Sequence, residues 1–384
     1  MAGGIHQNLR NSSTVCTQLL SLIDEELLSL PILPEEIILL ILLRLPVRSL
    51  LQFKCVCKSW KTLISDPQFA KTHLQGSLDE SIMTHQRLAA SVTTEPYEII
   101  SYPVNTLFEN PSILVEPDRF SMKHEYCIIG SCNGLLCLYD ESRVCVRLCN
   151  PATRLMSKRS PAIAVSDWYI NNYGFGYDMV NDKYKFLMAV RNTYMNAAKI
   201  YTFGEDSWTT IQNFPINPHE RLGKFVSGTL NWLADKRSAS SKQCVILSFD
   251  LEKESYREML LPQIDVGYMG SPLLYVLNNC LCVFFETSKT HWALWSMKEY
   301  GVFESWTKLM IIPHQTLTKN LEFSFIHPLF FSENGIVLLV YSRSYKIGLY
   351  NFSSGGSDFD YPSVSSKLGI DRHIYRESLV SPQQ

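Results

Sequence analysis

Positive charge is not in excess over the chain as a whole: 35 Lys and Arg stand against 37 Asp and Glu, a formal net charge of -2. Proteins that neutralise phosphates carry a basic surplus or stripe, so nucleic acid and anionic membrane are poor candidate partners. Long apolar runs are missing as well. The longest strongly apolar run, residues 37–43, is far shorter than the ~20 residues a spanning helix needs. Residues 19–30 are broken by Asp24, Glu25 and Glu26 and do not read as a secretory signal. The eleven cysteines contain no C-x-x-C pair. Cys127, Cys132 and Cys137 stand five apart with no His close behind, so no metal is predicted. Cys55, Cys57, Cys137, Cys280 and Cys282 sit in apolar runs as small hydrophobes, which fits a reducing compartment, cytoplasmic and/or nuclear.

Signs of catalysis are equally scarce. There is no G-x-S-x-G and no P-loop; the Ser of Gly130-Ser131-Cys132-Asn133-Gly134 is misplaced for a nucleophile elbow. Gly174-x-Gly176 lacks the third glycine of a dinucleotide site. Asp178 and Asp182 could in principle act as a carboxylate pair on a glycoside. Their setting between two strand patterns favours turn-forming roles. The chain is expected to be non-catalytic and to need no cofactor.

What is present begins with a helical module. Leu33-Pro34-Glu35-Glu36 reads as a helix start, with Pro34 at the first helical position and two carboxylates at the positive end of the dipole. Residues 37–43 are then apolar on every face. Arg44-Leu45-Pro46 breaks the helix, and Pro46 opens a short second one through Leu50 and Leu51. A third carries Phe53, Val56, Trp60, Leu63 and Ile64 at helical spacing, with Lys54, Lys58 and Lys61 on a solvated face, and Asp66-Pro67 ends it. A helix apolar all round must be covered on more than one side. Periodicity alone leaves open whether the rest of the chain or an external partner covers it.

The order Leu33-Pro34…Ile37…Ile41-Leu42-x-Arg44-Leu45-Pro46-Val47-x-Ser49-Leu50…Phe53-Lys54-Cys55-Val56-Cys57-Lys58-Ser59-Trp60 closely resembles the F-box. The resemblance implies docking to the Skp-type adaptor of SCF ubiquitin ligases and, through it, to a cullin-RING ligase. It places Leu33, Pro34, Leu45, Pro46, Leu50, Val56, Cys57 and Trp60 at positions that pack on the adaptor or shape the docking surface, with Ile37 and Ile41 shared between the module's core and that interface.

Beyond residue 97 the helical period gives way to short apolar runs punctuated by turns, the pattern of strands. One phrase recurs, an acidic residue, Ser and an aromatic ahead of a Pro: Asp206-Ser207-Trp208, Glu254-Ser255-Tyr256 and Glu304-Ser305-Trp306, spaced by 48 and 50 residues. A second phrase, a turn entering a strand, runs in step with it at Asn133-Gly134, Gly228-Thr229, Asn279-Cys280 and Asn334-Gly335. Three to four strands in about fifty residues match a propeller blade. Five blades can be counted, and a sixth is expected from pairing of the chain ends, residues 97–102 with 374–380, which removes the open edges. The recurring Trp and Tyr read as core.

Gly130-Ser131-Cys132-Asn133-Gly134-Leu135, Asn150-Pro151-x-Thr153, Gly174-Phe175-Gly176-Tyr177-Asp178, Gly228-x-Leu230-Asn231-Trp232 and Met297-Lys298-Glu299-Tyr300-Gly301 resemble the F-box-associated domain of plant F-box proteins, many described as F-box/kelch-repeat. The kelch Gly-Gly doublet occurs in this region only at Gly355-Gly356. The expected fold class is α+β multidomain: a three-helix F-box followed by an all-β, kelch-like propeller of about six blades. The expected boundaries are a disordered or partly helical tail over 1–28, the F-box over 29–75, a linker over 76–96 and the propeller over 97–384. The implied function is substrate recognition in an SCF-type ligase, the propeller holding a protein target of unknown identity through its least repetitive segments: 160–172, 191–198, 235–243 and 263–271. The alternative is a carbohydrate- or small-ligand-binding propeller whose F-box serves its own turnover.

Overall fold

Pro34 takes the N-cap of the first helix, α1 (Glu35–Leu43), one residue ahead of the expected position. An N-cap needs only a carbonyl, which Pro retains, and Pro34 O accepts the N–H groups of Ile37 and Ile38 at 3.0 and 3.1 Å. Pro46 does the same for α2 (Val47–Phe53), accepting from Leu50 at 3.1 Å. The expected third helix is divided. Phe53 ends α2, Val56 lies in a turn, and Cys57, extended at φ −153°, ψ 167°, is the N-cap of α3 (Lys58–Ser65). Asp66 ends α3 and at once caps a further helix, α4 (Pro67–Gly76). Its Oδ1 accepts the N–H groups of Gln68 and Phe69 at 2.8 and 3.0 Å.

The computed structural model describes residues 33–76, 85–109, 114–163, 169–191, 196–237, 242–263, 272–287, 290–313, 326–341, 347–351, 359–360 and 371–383. The N-terminal tail 1–28 and Gly355-Gly356 lie outside them. Two compact units are present, residues 1–45 and 46–384. In the first, α1 is the described helix. The second holds α2 to α4 and a six-bladed propeller of four-stranded antiparallel sheets.

From inner to outer strand, the first blade is Arg372–Arg376, Gln86–Val92, Glu98–Pro103 and Asp118–Ser121, with a short helix, α5 (Val104–Glu109), before its last strand. The second is Cys127–Cys132, Leu135–Asp140, Cys145–Asn150 and Leu155–Met156, and the third Tyr169–Asp178, Lys183–Arg191, Asn196–Thr202 and Thr209–Ile211. The fourth is Lys224–Val226, Thr229–Arg237, Lys242–Asp250 and Ser255–Leu260, and the fifth Leu273–Leu277, Cys280–Thr287, His291–Met297 and Trp306–Pro313. The sixth is Ile326–Phe331, Ile336–Tyr341, Ile347–Asn351 and Phe359–Asp360.

Middle strands such as Leu135–Asp140 are buried along their whole length because both faces pack on neighbouring blades, so they read as continuous apolar runs. Apolar clusters join the blades around a full circle. Ile99 and Tyr375 meet Leu136 between the first and second, Leu148 meets Phe186 between the second and third, and Leu187 meets Trp232 between the third and fourth. Ile246 meets Val283, Leu294 meets Val337, and Leu338 meets Ile100 to complete the ring.

The first blade is where the chain ends join, but residues 98–103 and the C-terminal strand are not direct neighbours. Gln86–Val92, inside the segment read as linker, pairs with both: Leu88 faces Ile374 on one side and Tyr102 on the other. Its sequence hid it. All five interior residues are buried, yet they include Arg87, two alanines and Ser91, so neither alternation nor an apolar run shows. Arg87 is satisfied there by the Ser101 hydroxyl at 2.7 Å, the Ser101 carbonyl at 3.0 Å, Glu377 at 3.2 Å and Asp118. Asp118 and Glu377 also meet Arg48 of α2, and Lys71 of α4 meets Asp182 at 2.5 Å, so these two helices are held to the propeller by ion pairs.

The recurring phrases have physical meanings. Trp208 and Trp306 introduce outermost strands, and each indole N–H reaches back to the preceding blade, to Pro161 O at 2.8 Å and Leu260 O at 3.3 Å. Tyr300 of the Met297-to-Gly301 motif donates to Asn231 Oδ1 of the Gly228-to-Trp232 motif at 2.7 Å. Its hydroxyl also lies 2.6 Å from Thr229 Oγ1 and 2.8 Å from Ser248 Oγ. Tyr300→Phe is expected to cost about 1–3 kcal/mol by leaving the buried Asn231 amide short of a donor, read as a lowered urea midpoint at unchanged slope.

Candidate functional site

The residues expected at the adaptor are described unit by unit. In the first, α1 buries only Leu42; Leu33, Ile37 and Ile41 are 52%, 41% and 46% exposed. Pro34 is exposed and Leu45 half-buried. Leu40, not singled out from sequence, is as exposed as Ile41, because a helix apolar on every face hides which side is free.

In the second unit Pro46 and Cys57 are exposed, and Val56 is 62% exposed at the turn before α3. Trp60 is half-buried, its ring tilted against Phe53 with centroids 5.4 Å apart. Leu50 stands apart from this set. It is fully buried beside Val47, one turn away on the inner side of α2, so its side chain holds the helix in place and offers no free surface. Periodicity and motif position cannot separate those two roles.

Cys57 combines exposure with chemistry. A hydrogen bond with the Ser59 hydroxyl, then one from the Trp60 N–H, lowers its thiol below the ordinary value. Burial instead pushes Cys149 and Cys282 up to about 12. Iodoacetamide at neutral pH is therefore expected to label Cys57 well before those two, because the thiolate is the reacting form. A saturating adaptor should suppress the Cys57 reaction, with peptide mass mapping as the readout.

The propeller's inner strands and the segment leading into the fourth blade hold a second set that sequence reasoning missed, since its members come from different blades. Arg221 lies over the Tyr173 ring at 5.6 Å and Lys224 over the Tyr275 ring at 5.8 Å. The Tyr275 hydroxyl is 2.6 Å from His327 Nδ1, and Glu220 accepts the Leu274 N–H at 3.1 Å. Burial raises the Glu220 carboxyl; burial and the charges of Lys224 and Arg372 lower the His327 imidazole. The four less repetitive segments each include residues outside the described ones.

Asp178 is occupied structurally: its Oδ1 accepts the N–H groups of Val180 and Asn181 at 3.1 and 3.0 Å, and Lys185 lies 3.1 Å from Oδ2. Asp182 holds the Tyr177 hydroxyl and Lys71. The cavity between Leu148, Tyr184, Phe203 and Pro382 has about 10 Å³, room for one water and far below the ~300 Å³ of a small-molecule pocket. Among the described residues no cysteine forms a disulfide, and no described helix is long and apolar enough to cross a membrane.

Comparison with known families matches residues 30–72 to the F-box domain and residues 90–381 to the F-box associated beta propeller domain. The chain belongs to the F-box proteins with an F-box-associated propeller. Among its relatives, an F-box/kelch-repeat protein of Arabidopsis thaliana is 33% identical over 362 residues, covering 91% of this chain and 96% of the relative. The F-box protein CPR1 of Arabidopsis thaliana is 24% identical, covering 84% and 82%. An F-box joined to such a propeller supports a general role as an SCF substrate receptor.

Proposed function

We propose that this F-box protein docks a Skp-type adaptor, and through it a cullin-RING ligase, while its propeller holds a protein target for ubiquitination. The observation that carries the reading is the F-box match over residues 30–72 together with the exposure of Ile37, Ile41 and Val56, apolar side chains at motif positions. The chain itself supplies no reacting group. Its contribution to transfer is proximity, the tethering of the target near the ubiquitin-loaded enzyme. The cation–tyrosine set on the inner strands is the candidate contact for the target, and the cytoplasm and/or nucleus the compartment.

The test is reconstitution. Full-length chain purified with a Skp-type adaptor and a cullin-RING core is expected to ubiquitinate a protein captured by the same chain when its adaptor-facing isoleucines are replaced. A chain that binds no Skp-type adaptor, or a captured protein that is never modified in the complete ligase, would overturn the reading.

A further inference from the structure

Three donor side chains far apart in sequence converge on the fourth blade. Asp235 stands directly opposite Cys244 in the pairing of Thr229–Arg237 with Lys242–Asp250, and opposed residues of an antiparallel pair project to the same face. The segment ahead of the inner strand runs beside the second strand: Pro218 bridges Ala234, and the His219 N–H donates to Leu233 O at 2.8 Å. That backbone bond brings His219 to the pair. Its Nε2 lies 2.8 Å from Asp235 Oδ2, and the ring nitrogen, carboxylate oxygen and Cys244 Sγ all fall within 4.8 Å of one another. Spacings of 16 and 9 residues match no metal-binding sequence pattern, so register alone creates the cluster.

We propose that His219, Asp235 and Cys244 form a zinc site, with the fourth position left to water. A tetrahedral ion bound through nitrogen, oxygen and sulfur at roughly 2.0–2.3 Å holds its donors roughly 3.2–3.8 Å apart. His219 Nε2 and Asp235 Oδ2, at 2.8 Å, stand closer than that and no donor pair is more than 4.8 Å apart, so side-chain rotations on fixed strands can bring all three to an ion. A thiolate and a carboxylate together balance a divalent charge. Sulfur in the set selects zinc over magnesium or calcium, which take oxygen. His219 and Asp235 keep 28% and 18% of their side-chain surface, which leaves the ion a path in. Binding would release the Cys244 proton to solvent and clip the connection between the third and fourth blades to the fourth blade's central hairpin.

Cobalt(II), a spectroscopic stand-in for zinc, tests this on the full-length chain. Wild type is expected to bind one equivalent with a thiolate-to-cobalt charge-transfer band and the intense visible bands of tetrahedral coordination, both erased by stoichiometric Zn²⁺. Cys244→Ser should remove the charge-transfer band, and His219→Ala should weaken Zn²⁺ binding by about 100-fold or more, the upper end for losing even a supporting contact. Zn²⁺ should raise the thermal midpoint of wild type and of neither variant. A band that survives Cys244→Ser assigns the metal to other thiols and overturns the site. So does the absence of stoichiometric binding in folded wild type. Asp235→Asn, which keeps the side-chain shape, must also weaken binding if the carboxylate is a ligand.

Discussion

Full-length chain carrying Ile37→Asp and Ile41→Asp is expected to lose a Skp-type adaptor in pull-down and calorimetry while its propeller unfolds at the wild-type midpoint. Both side chains lie on α1 and are already near half exposed, so the fold gives up little. At an interface the balance reverses. Removing a buried anchor costs about 2 kcal/mol or more, and placing an unpaired carboxylate in an apolar contact adds to that. Two such changes exceed about 4 kcal/mol, roughly a thousandfold in affinity. Leu33→Ala with Pro34→Ala should weaken capture in the same direction by less, since no charge is introduced.

Leu50→Ala supplies the contrast. Its side chain is fully buried, so truncation is expected to cost about 2–5 kcal/mol of stability, and any effect on the adaptor follows from a loosened α2. A variant that loses the adaptor with its unfolding midpoint intact marks a contact; one that loses both marks support. Unchanged capture by the Ile37/Ile41 variant would remove α1 from the interface.

The difference between Ile37 and Leu50 also shows what sequence can and cannot tell. The F-box and the blade repeat were legible because each rests on local signals: proline at helix starts, a Ser-aromatic phrase opening outer strands, continuous apolar runs in middle strands. Gln86–Val92 was not legible, because a strand whose buried Arg87 is neutralised by Asp118 and Glu377 has no sequence period to display. Leu50 sits at a motif position that either packs on the adaptor or shapes the docking surface; its burial fits the second, and motif position alone does not say which side of a helix faces in. Tyr300 and Asn231 each stood out as motif residues, yet their hydrogen bond crosses between blades, and only the ring geometry brings them together. His219, Asp235 and Cys244 were invisible for the same reason.

Ending the chain at residue 370 is expected to abolish the single cooperative unfolding transition, because the last strand closes the ring. That strand is the innermost of the first blade, and Tyr375 within it and Leu379 and Val380 behind it are buried. At about 1.5–3 kcal/mol for each large apolar side chain, their loss is comparable with the 5–15 kcal/mol that holds a domain folded. Polar losses come on top. The fully buried Asn150 amide donates to Ser378 O at 3.0 Å and Val380 O at 2.8 Å, and Ser131 Oγ donates to Ile374 O at 2.7 Å. Gly134→Val attacks the same seam without shortening the chain. Gly134 has φ +79°, and a Cβ there would lie 2.2 Å from Ser378 Oγ and 2.7 Å from Arg376 O. The seam also carries a pH signature. Burial pushes the His373 imidazole down to about 4 from an ordinary 6.5, and its Nε2 lies 3.0 Å from Ile128 O. The unfolded chain therefore binds the proton first. His373 contributes full stability above pH 6.5, and that contribution falls as pH drops from 6.5 towards 4. Asp371, whose carboxyl burial raises, works in the opposite direction and is present in both chains, so the difference between wild type and His373→Asn isolates the imidazole. If the truncated chain instead melts once at the wild-type midpoint, the chain ends do not close the ring, and the stability of the propeller must come from the other five blade contacts.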